Sequence, residues 1–356
     1  MKGHNYVAQK HHGIVTDHPP EEVPADRWTA GGNFQFQDQA AVRVSGYEDF
    51  AGPILGTGPL FAMNAIAGPD SLWIYCTANK AYATNGTTHA DITPTEGLLT
   101  VTAGAWTGCV LNGIPVLNNG IDPPFFWDLN LNDPCEFLPG WPLGAYCQAI
   151  RAFKYHLFAL NVFDGITNMP DTLWWSQGAA PGAIPQEWTP APDNDAGDMT
   201  LADSPGAIID GMSLRDTFVV YKAFSTYMLS YVAGQYVFTQ RKLFLTAGVQ
   251  ALNCVAELNG EHWVFTGKDV IRHDGQNFAS VVQDRIKNEL VASIDPLRIH
   301  TICVTARHRD NQMWVCIPTQ GSPWLNRAYI INVLTGDCGV MDLPLVSFVA
   351  RGIVTE

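Results

Sequence analysis

The feature that most constrains this chain is that its apolar segments are short and stop at turn signals. They are rich in Val, Ile, Phe, Tyr, Trp and Thr and end at Asn-Gly, Asp-Gly, Gly-Pro or proline clusters, the vocabulary of hairpins. One hairpin unit occurs twice. Leu72-Trp73-Ile74-Tyr75 leads through Ala81-Tyr82 to the turn Asn85-Gly86, and His262-Trp263-Val264-Phe265 leads through Val270-Ile271 to Asp274-Gly275. From Trp to Gly is 13 positions in the first unit and 12 in the second. Weaker copies of the opening strand lie at Cys109 to Leu111, Tyr155 to Leu160, Thr217 to Tyr221 and Met313 to Ile317. From Trp73 through Leu111, Phe158, Val219, Trp263 and Trp314 the steps are 38, 47, 61, 44 and 51 residues. A four-stranded propeller blade takes ~40 to 50 residues. The spacing therefore predicts an all-β chain, a β-propeller of about six blades of antiparallel strands. A sandwich or jelly roll stays open, since either also places an apolar strand every ~8 to 12 residues.

Few short helices are expected. The best helical period is Ile286, Leu290 and Val291 with charges between them, which predicts one short helix over Asp284 to Ile294. The organisation expected is an N-terminal arm with first or closing strands over residues 1–55 and the propeller over 56–356, with a Pro-rich insertion around 163–205. That insertion holds Pro170, Pro181, Pro185, Pro190, Pro192 and Pro205 together with Asp193-Asn194-Asp195. Proline removes ladder donors, so the segment reads as a surface excursion from one blade.

Charge narrows the function. Twenty Lys and Arg stand against 34 Asp and Glu, a net charge of -14 with no basic run from which a sequence-reading nucleic-acid surface could be built. A passive acidic channel for nucleic acid stays open. The eight cysteines show neither CxxC pairs nor the spacing of a disulfide scaffold, which predicts core residues of a chain made in a reducing cytoplasm. The N-terminus lacks a signal-peptide pattern and no uncharged apolar run reaches ~20 residues, so no membrane insertion is expected.

Candidate chemistry is sparse. His4, His11, His12 and His18 cluster near the N-terminus, but no carboxylate or cysteine stands at ligand spacing from them, and the segment His4 to Glu22 reads as a polar arm that orders against a neighbour. Asp193, Asp195 and Asp198 lack the Gly and Glu spacing of a calcium loop. No nucleophile elbow, P-loop or dinucleotide fingerprint is present, nor the Ser-x-Asp-x-Gly-x-x-Trp turns of propeller sialidases. The expectation is a non-enzyme without catalytic, cofactor or metal residues. Trp174, Trp175 and Trp188 could form a sugar platform, pack in a core or meet another subunit; a subunit contact is the favoured reading.

Residues 19–53, PPEEVPADRWTAGGNFQFQDQAAVRVSGYEDFAGP, resemble the N-terminal region of the tail nozzle proteins of short-tailed bacteriophages (podoviruses), also called tail tubular protein B. The shared pattern is a proline-bearing lead-in, a Trp, an Asn-x-x-Phe strand, a turn and a closing glycine, here Trp28, Asn33, Phe36 and Gly46. Where that family tends to show Asp-Gly in the turn, this chain has Asp38-Gln39. Trp174-Trp175-Ser176 before Pro185 and Trp188, the strand and Lys-bearing hairpin around Lys222, and the blade with Trp263, Asp274 and Gly275 resemble the family in the same order.

The resemblance implies a structural virion protein of the tail: a β-propeller subunit that forms a homo-oligomeric ring, a hexamer, beneath the portal and head-tail adaptor. Such a ring continues the channel for double-stranded DNA without reading its sequence, retains the genome until DNA ejection, and docks tail fibre or tailspike proteins. Six copies at -14 each would carry -84, and an acidic wall facing the lumen would let DNA slide. The alternatives are a carbohydrate-binding propeller, a lectin or receptor-binding module, and further off a propeller glycoside hydrolase.

Overall fold

The computed structural model describes residues 10–67, 70–232 and 237–352. Six four-stranded antiparallel sheets follow one another along the chain, over residues 61–91, 107–137, 146–200, 208–244, 255–280 and 303–346, each with its strands in sequence order. First strands of successive sheets pack together, so the sheets stand as blades around one axis. The chain is a six-bladed β-propeller.

A blade's second strand is covered on both faces by its neighbours, so it reads as an unbroken apolar run rather than an alternation. His156–Phe163, Thr217–Lys222 and Gln312–Ile317 are second strands and are buried almost throughout. Trp73, Phe158, Val219, Trp263 and Trp314 all lie on second strands. Blade two departs from the expected frame: Cys109 to Leu111 belongs to its first strand, Thr107–Leu111, and its second strand is Ile114–Asn118. Pro115 and Asn118 break the apolar run there. Counted from Val116, the two flanking steps become 43 and 42 residues, closer to one blade than 38 and 47.

The Pro-rich insertion is shorter than expected. Asn168–Trp175 is the third strand of blade three and Gly197–Thr200 its fourth, so the excursion is residues 176–196. Pro170 sits within the third strand, at the bulge where register with Leu160 to Val162 shifts and ahead of Thr172, where pairing with the fourth strand begins. It therefore interrupts no ladder.

The N-terminal segment is also corrected. His12–Ile14 pairs in parallel with Arg27–Trp28, and the hairpin Phe34–Gln37 with Ala40–Arg43 joins the outer strand of blade six, Cys338–Val346, widening it to six strands. Ile14 and Val15 are buried, Ile14 in the core shared by blades four to six. The amides of Thr16 and Asp17 donate to the Arg285 carbonyl at 2.6 and 2.9 Å. Residues 10–17 are thus a strap on the last two blades and not a free polar arm; His4 lies outside the described residues. The strap also sets the helix, Lys287–Ser293, three residues later than its predicted start. Asp284 has φ 58°, and Asp17 accepts from the Lys287 and Asn288 amides at 3.0 and 2.9 Å, so the cap comes from the other end of the chain.

From the outer edge of blade six the chain crosses to the inner strand of blade one through residues 44–60. The seam between these blades is held by the Ser347 hydroxyl on the Pro59 carbonyl and by Phe348 against Phe61, ring centres 4.9 Å apart. All eight cysteines are free.

Candidate functional site

A buried ion pair ties the inner strands of the propeller together. Arg151 on the inner strand of blade three donates to both oxygens of Asp210 on blade four, at 2.8 and 2.9 Å, to the Asn253 side-chain oxygen at 3.1 Å, and to the Gly108 carbonyl of blade two at 3.1 Å. Asp210 also accepts from the Asn253 amide, and the Asn253 side chain donates to the Trp106 carbonyl. Both charged side chains are buried, at 9% and 2% exposure. Burial alone would lower the Arg151 pKa, but the Asp210 carboxylate outweighs it and holds it above the usual value. Four blades are tied by one ion pair whose remaining donors and acceptors are committed.

Near the same end, the connections between blades approach one another. A side chain at Gly104 would strike the His300 carbonyl. An axial funnel opens at the end where first strands turn into second strands. Its cavity of about 410 Å³ runs along all six inner strands and the segment Phe348 to Arg351, and a space of about 640 Å³ at the mouth carries Arg215, His308, Arg351 and Glu257. Arg351 lies 3.1 Å from His308 Nε2. Glu257 accepts from the Gly260 amide at 2.7 Å.

A second polar network joins blades four and five. Tyr221 Oη lies 2.8 Å from His262 Nδ1 and 2.5 Å from His273 Nε2, and His262 Nε2 lies 2.9 Å from the Ser213 carbonyl. A carbonyl can only accept, so His262 carries its proton on Nε2 and Tyr221 donates to Nδ1; the phenol oxygen then accepts from His273 Nε2. His273 Nδ1 is left as a bare, unpartnered lone pair. Burial pushes His262 down to about 4 and His273 to about 3, and lifts Tyr221 well above its ordinary value.

The residues singled out in the sequence are dispersed over the fold and build it. Trp28 donates to His11 Nδ1 at 3.2 Å and packs on Phe34 and on Phe36, which is buried. Asn33, at φ 63°, splices the hairpin to blade six: its side chain donates to the Asp342 carboxylate at 3.2 Å and accepts from the Asp342 amide at 2.9 Å. Gly46 is exposed with open space around it, and nothing in the structure requires a glycine there. The sugar-platform and subunit-contact readings of the blade-three tryptophans give way to packing. Trp175 and Trp188 are 7% and 2% exposed, Trp175 donates to the Asp195 carbonyl, and Trp188 stands edge-on to Trp141, with half-buried Trp174 beside it. Ser176 is buried, its hydroxyl accepting from the Leu157 amide. Lys222 is fully buried and donates to the carbonyls of Leu201 and Ser204, 2.6 Å each, which pins the link between blades three and four; burial lowers its pKa. Asp274 accepts from the Gln276 and Asn277 amides, and Gly275, φ 90°, faces Met228 where a Cβ would collide. Of the aspartates weighed for calcium, Asp195 accepts from the Gly178 amide; among the described residues no three His, Cys, Asp or Glu side chains gather to hold a metal.

Both ends of the propeller expose apolar loop tips. At the end that carries the blade connections, Leu99, Leu143, Ile166, Phe224, Leu245 and Leu297 are 59–100% exposed. The funnel end shows Ile66, Tyr155, Val232 and Leu334 interspersed with Lys154, Arg215 and Arg309. Sequence reasoning found none of these loop-tip residues, because single apolar residues among Gly and Pro carry no period.

Fold and site together define a six-bladed propeller with an axial funnel, whose mouth carries Arg215, His308 and Arg351 against Glu257, and with exposed apolar loop tips at the opposite end. No family model and no curated protein matches the chain. Solved structures that it resembles include the extracellular domain of a hybrid two-component system from B. thetaiotaomicron (12% identity, TM-score 0.45, 80% of this chain and 34% of that one). A fungal alcohol oxidase in complex with copper (11%, 0.46, 74% and 59%) and BamB from Moraxella catarrhalis (7%, 0.39, 79% and 77%) are similar in the same way. The chain thus spans about a third of the first and three fifths of the second. Likeness at this level carries no function over.

Proposed function

We propose that the chain is a structural subunit of a short-tailed phage tail, a nozzle or hub protein that acts through shape and interfaces. The observation that carries this reading is the apolar connection end: a chain of net charge -14 holds six large apolar side chains in water at one end of a stiff body, a cost that covering them in an assembly removes. The order of the tail-nozzle motifs along the chain points to which assembly. The axial space of a single propeller, about 410 Å³ along its inner strands, is far too small for a DNA duplex, so in this reading genome passes through the lumen of a ring of copies, with adaptor and fibre proteins on its two faces.

Gold-labelled antibody against the chain, applied to purified phage particles and viewed by negative-stain electron microscopy, tests it. Label confined to the tail tip is the expected outcome. Intact and opened particles that both stay unlabelled, while the antibody detects free protein in the lysate, would remove the tail reading.

A further inference from the structure

Off the axis, between the outer strands of blade five and the turn 333–336 of blade six, lies a separate pocket of about 300 Å³. Trp263 and Arg285 both line it, and each brings a buried donor without a partner: the Trp263 indole N–H and one N–H-bearing terminus, Nη1, of the Arg285 guanidinium. Trp263 is 1% exposed. Nη1 lies on the Gly336 side, where a Cβ built on that glycine would come within 2.6 Å of it, and Gly336 is itself part of the pocket wall. Arg272, cross-strand neighbour of Trp263, adds a second guanidinium.

We propose that this pocket is an oxyanion site, taking a carboxylate or phosphate group. Of the carboxylates on the elements around it, Asp269 is bonded to Ser280 and Lys287 and Asp337 to Thr335, while Glu261 partly offsets Arg272 from 3.6 Å. The unpartnered Arg285 Nη1 and Trp263 indole N–H therefore face one pocket, whose wall also carries Arg272, and a buried donor left unmade is costly. An oxyanion supplies several lone pairs and a charge at once, and charge-assisted bonds are the strong ones. Gly336 serves the site directly, since any side chain there would displace the guanidinium. The group has two sources, a free anion or the acidic side chain of a second copy of this chain.

The test uses the full chain labelled with ¹⁵N-tryptophan, in which the indole resonance of Trp263 is assigned by its loss in Trp263→Phe. Inorganic phosphate is titrated in, with sodium chloride at matched ionic strength as control. A saturable shift of the Trp263 indole N–H is expected, with affinity reduced roughly tenfold or more in Arg285→Gln, the scale of one charge-assisted bond. Arg272→Gln, on the outer wall, is the second variant in case the first folds poorly, and weakens the response in the same direction. If the shift already develops with protein concentration in anion-free buffer, the second copy's carboxylate is the occupant; if it needs phosphate, a free anion is. A Trp263 resonance that stays still in both arms, moves equally with chloride, or keeps its full response in both arginine variants overturns the site.

Discussion

Gln39 occupies the second central position of the turn Asp38-Gln39 at φ 64°, after Asp38 at 51°. Two consecutive positive φ values make the tight hairpin turn that Asp-Gly favours, so the chain keeps the turn geometry of the motif it resembles and carries the strain of a side chain within it. Gln39→Gly is expected to stabilise the protein by about 1 kcal/mol, read as a higher urea midpoint. The histidines give a pH prediction of definite sign. With His262 and His273 held at about 4 and about 3 against an ordinary 6.5, the unfolded chain binds more protons below pH 6.5. Stability is whole above that pH and falls as pH drops towards 4, by up to about 1.4 kcal/mol per pH unit for each imidazole. Urea unfolding at pH 7, 6 and 5 measures it. His273→Gln should be less stable at pH 7 and show a flatter decline; a slope equal to wild type would show that the acid sensitivity comes from elsewhere. None of this was legible in the sequence, because the Tyr221 hydroxyl lies 41 and 52 positions from its two partners and no spacing rule links a strand of one blade to a strand of the next.

Elements show where sequence reading works and where it stops. Second strands were legible because stacked blades cover both their faces, and the longest unbroken apolar runs, Leu72 to Cys76 and Met313 to Ile317, lie on such strands. The same rule failed in blade two, where Pro115 and Asn118 interrupt the run and Asn118 is spent on the Cys147 and Gln148 carbonyls. The N-terminal segment reads as an arm for a neighbour rather than part of its own fold because His11, His12 and His18 surround only two buried apolar residues, Ile14 and Val15, too few to make a period. Their burial, with the Asp17 cap on Lys287–Ser293, ties this segment to stability. Deleting residues 1–18 is therefore expected to lower the melting temperature of the isolated chain, and Asp17→Ala alone to cost about 1 kcal/mol through the lost cap; thermal unfolding followed by circular dichroism checks both. The axial ion pair makes a sharper case. Arg151→Met leaves Asp210 charged and buried and is expected to cost about 3 to 5 kcal/mol, whereas Arg151→Met with Asp210→Leu should recover much of that. Equal losses in the single and double variants would mean that the pair is not the tie.

At the scale of the whole molecule, stiffness and asymmetry are the properties that bear on function. Four blades share the Arg151 tie, a strap from the N-terminus locks the last two, and six large apolar loop tips stand exposed at the connection end. Such a body suits repetition in a ring, because closed symmetry lets one apolar end meet neighbouring molecules in the same way at every copy. In the proposed ring each subunit would bring a charge of -14, so assembly would have to overcome self-repulsion, and raising salt from low ionic strength should strengthen it by screening. Leu143 and Ile166 offer the cleanest test. They are 100% and 89% exposed, and their loops touch, Gly144 lying against Gly165. Neither side chain belongs to the core, so Leu143→Glu with Ile166→Glu should shift stability by no more than about 0.5 kcal/mol. In sedimentation velocity at micromolar concentration, wild type is expected as an oligomer that grows with added salt and the double variant as monomer at every salt concentration. If the variant assembles like wild type, the connection end is not the interface, and the funnel end with Tyr155, Leu334 and Arg309 becomes the surface to alter.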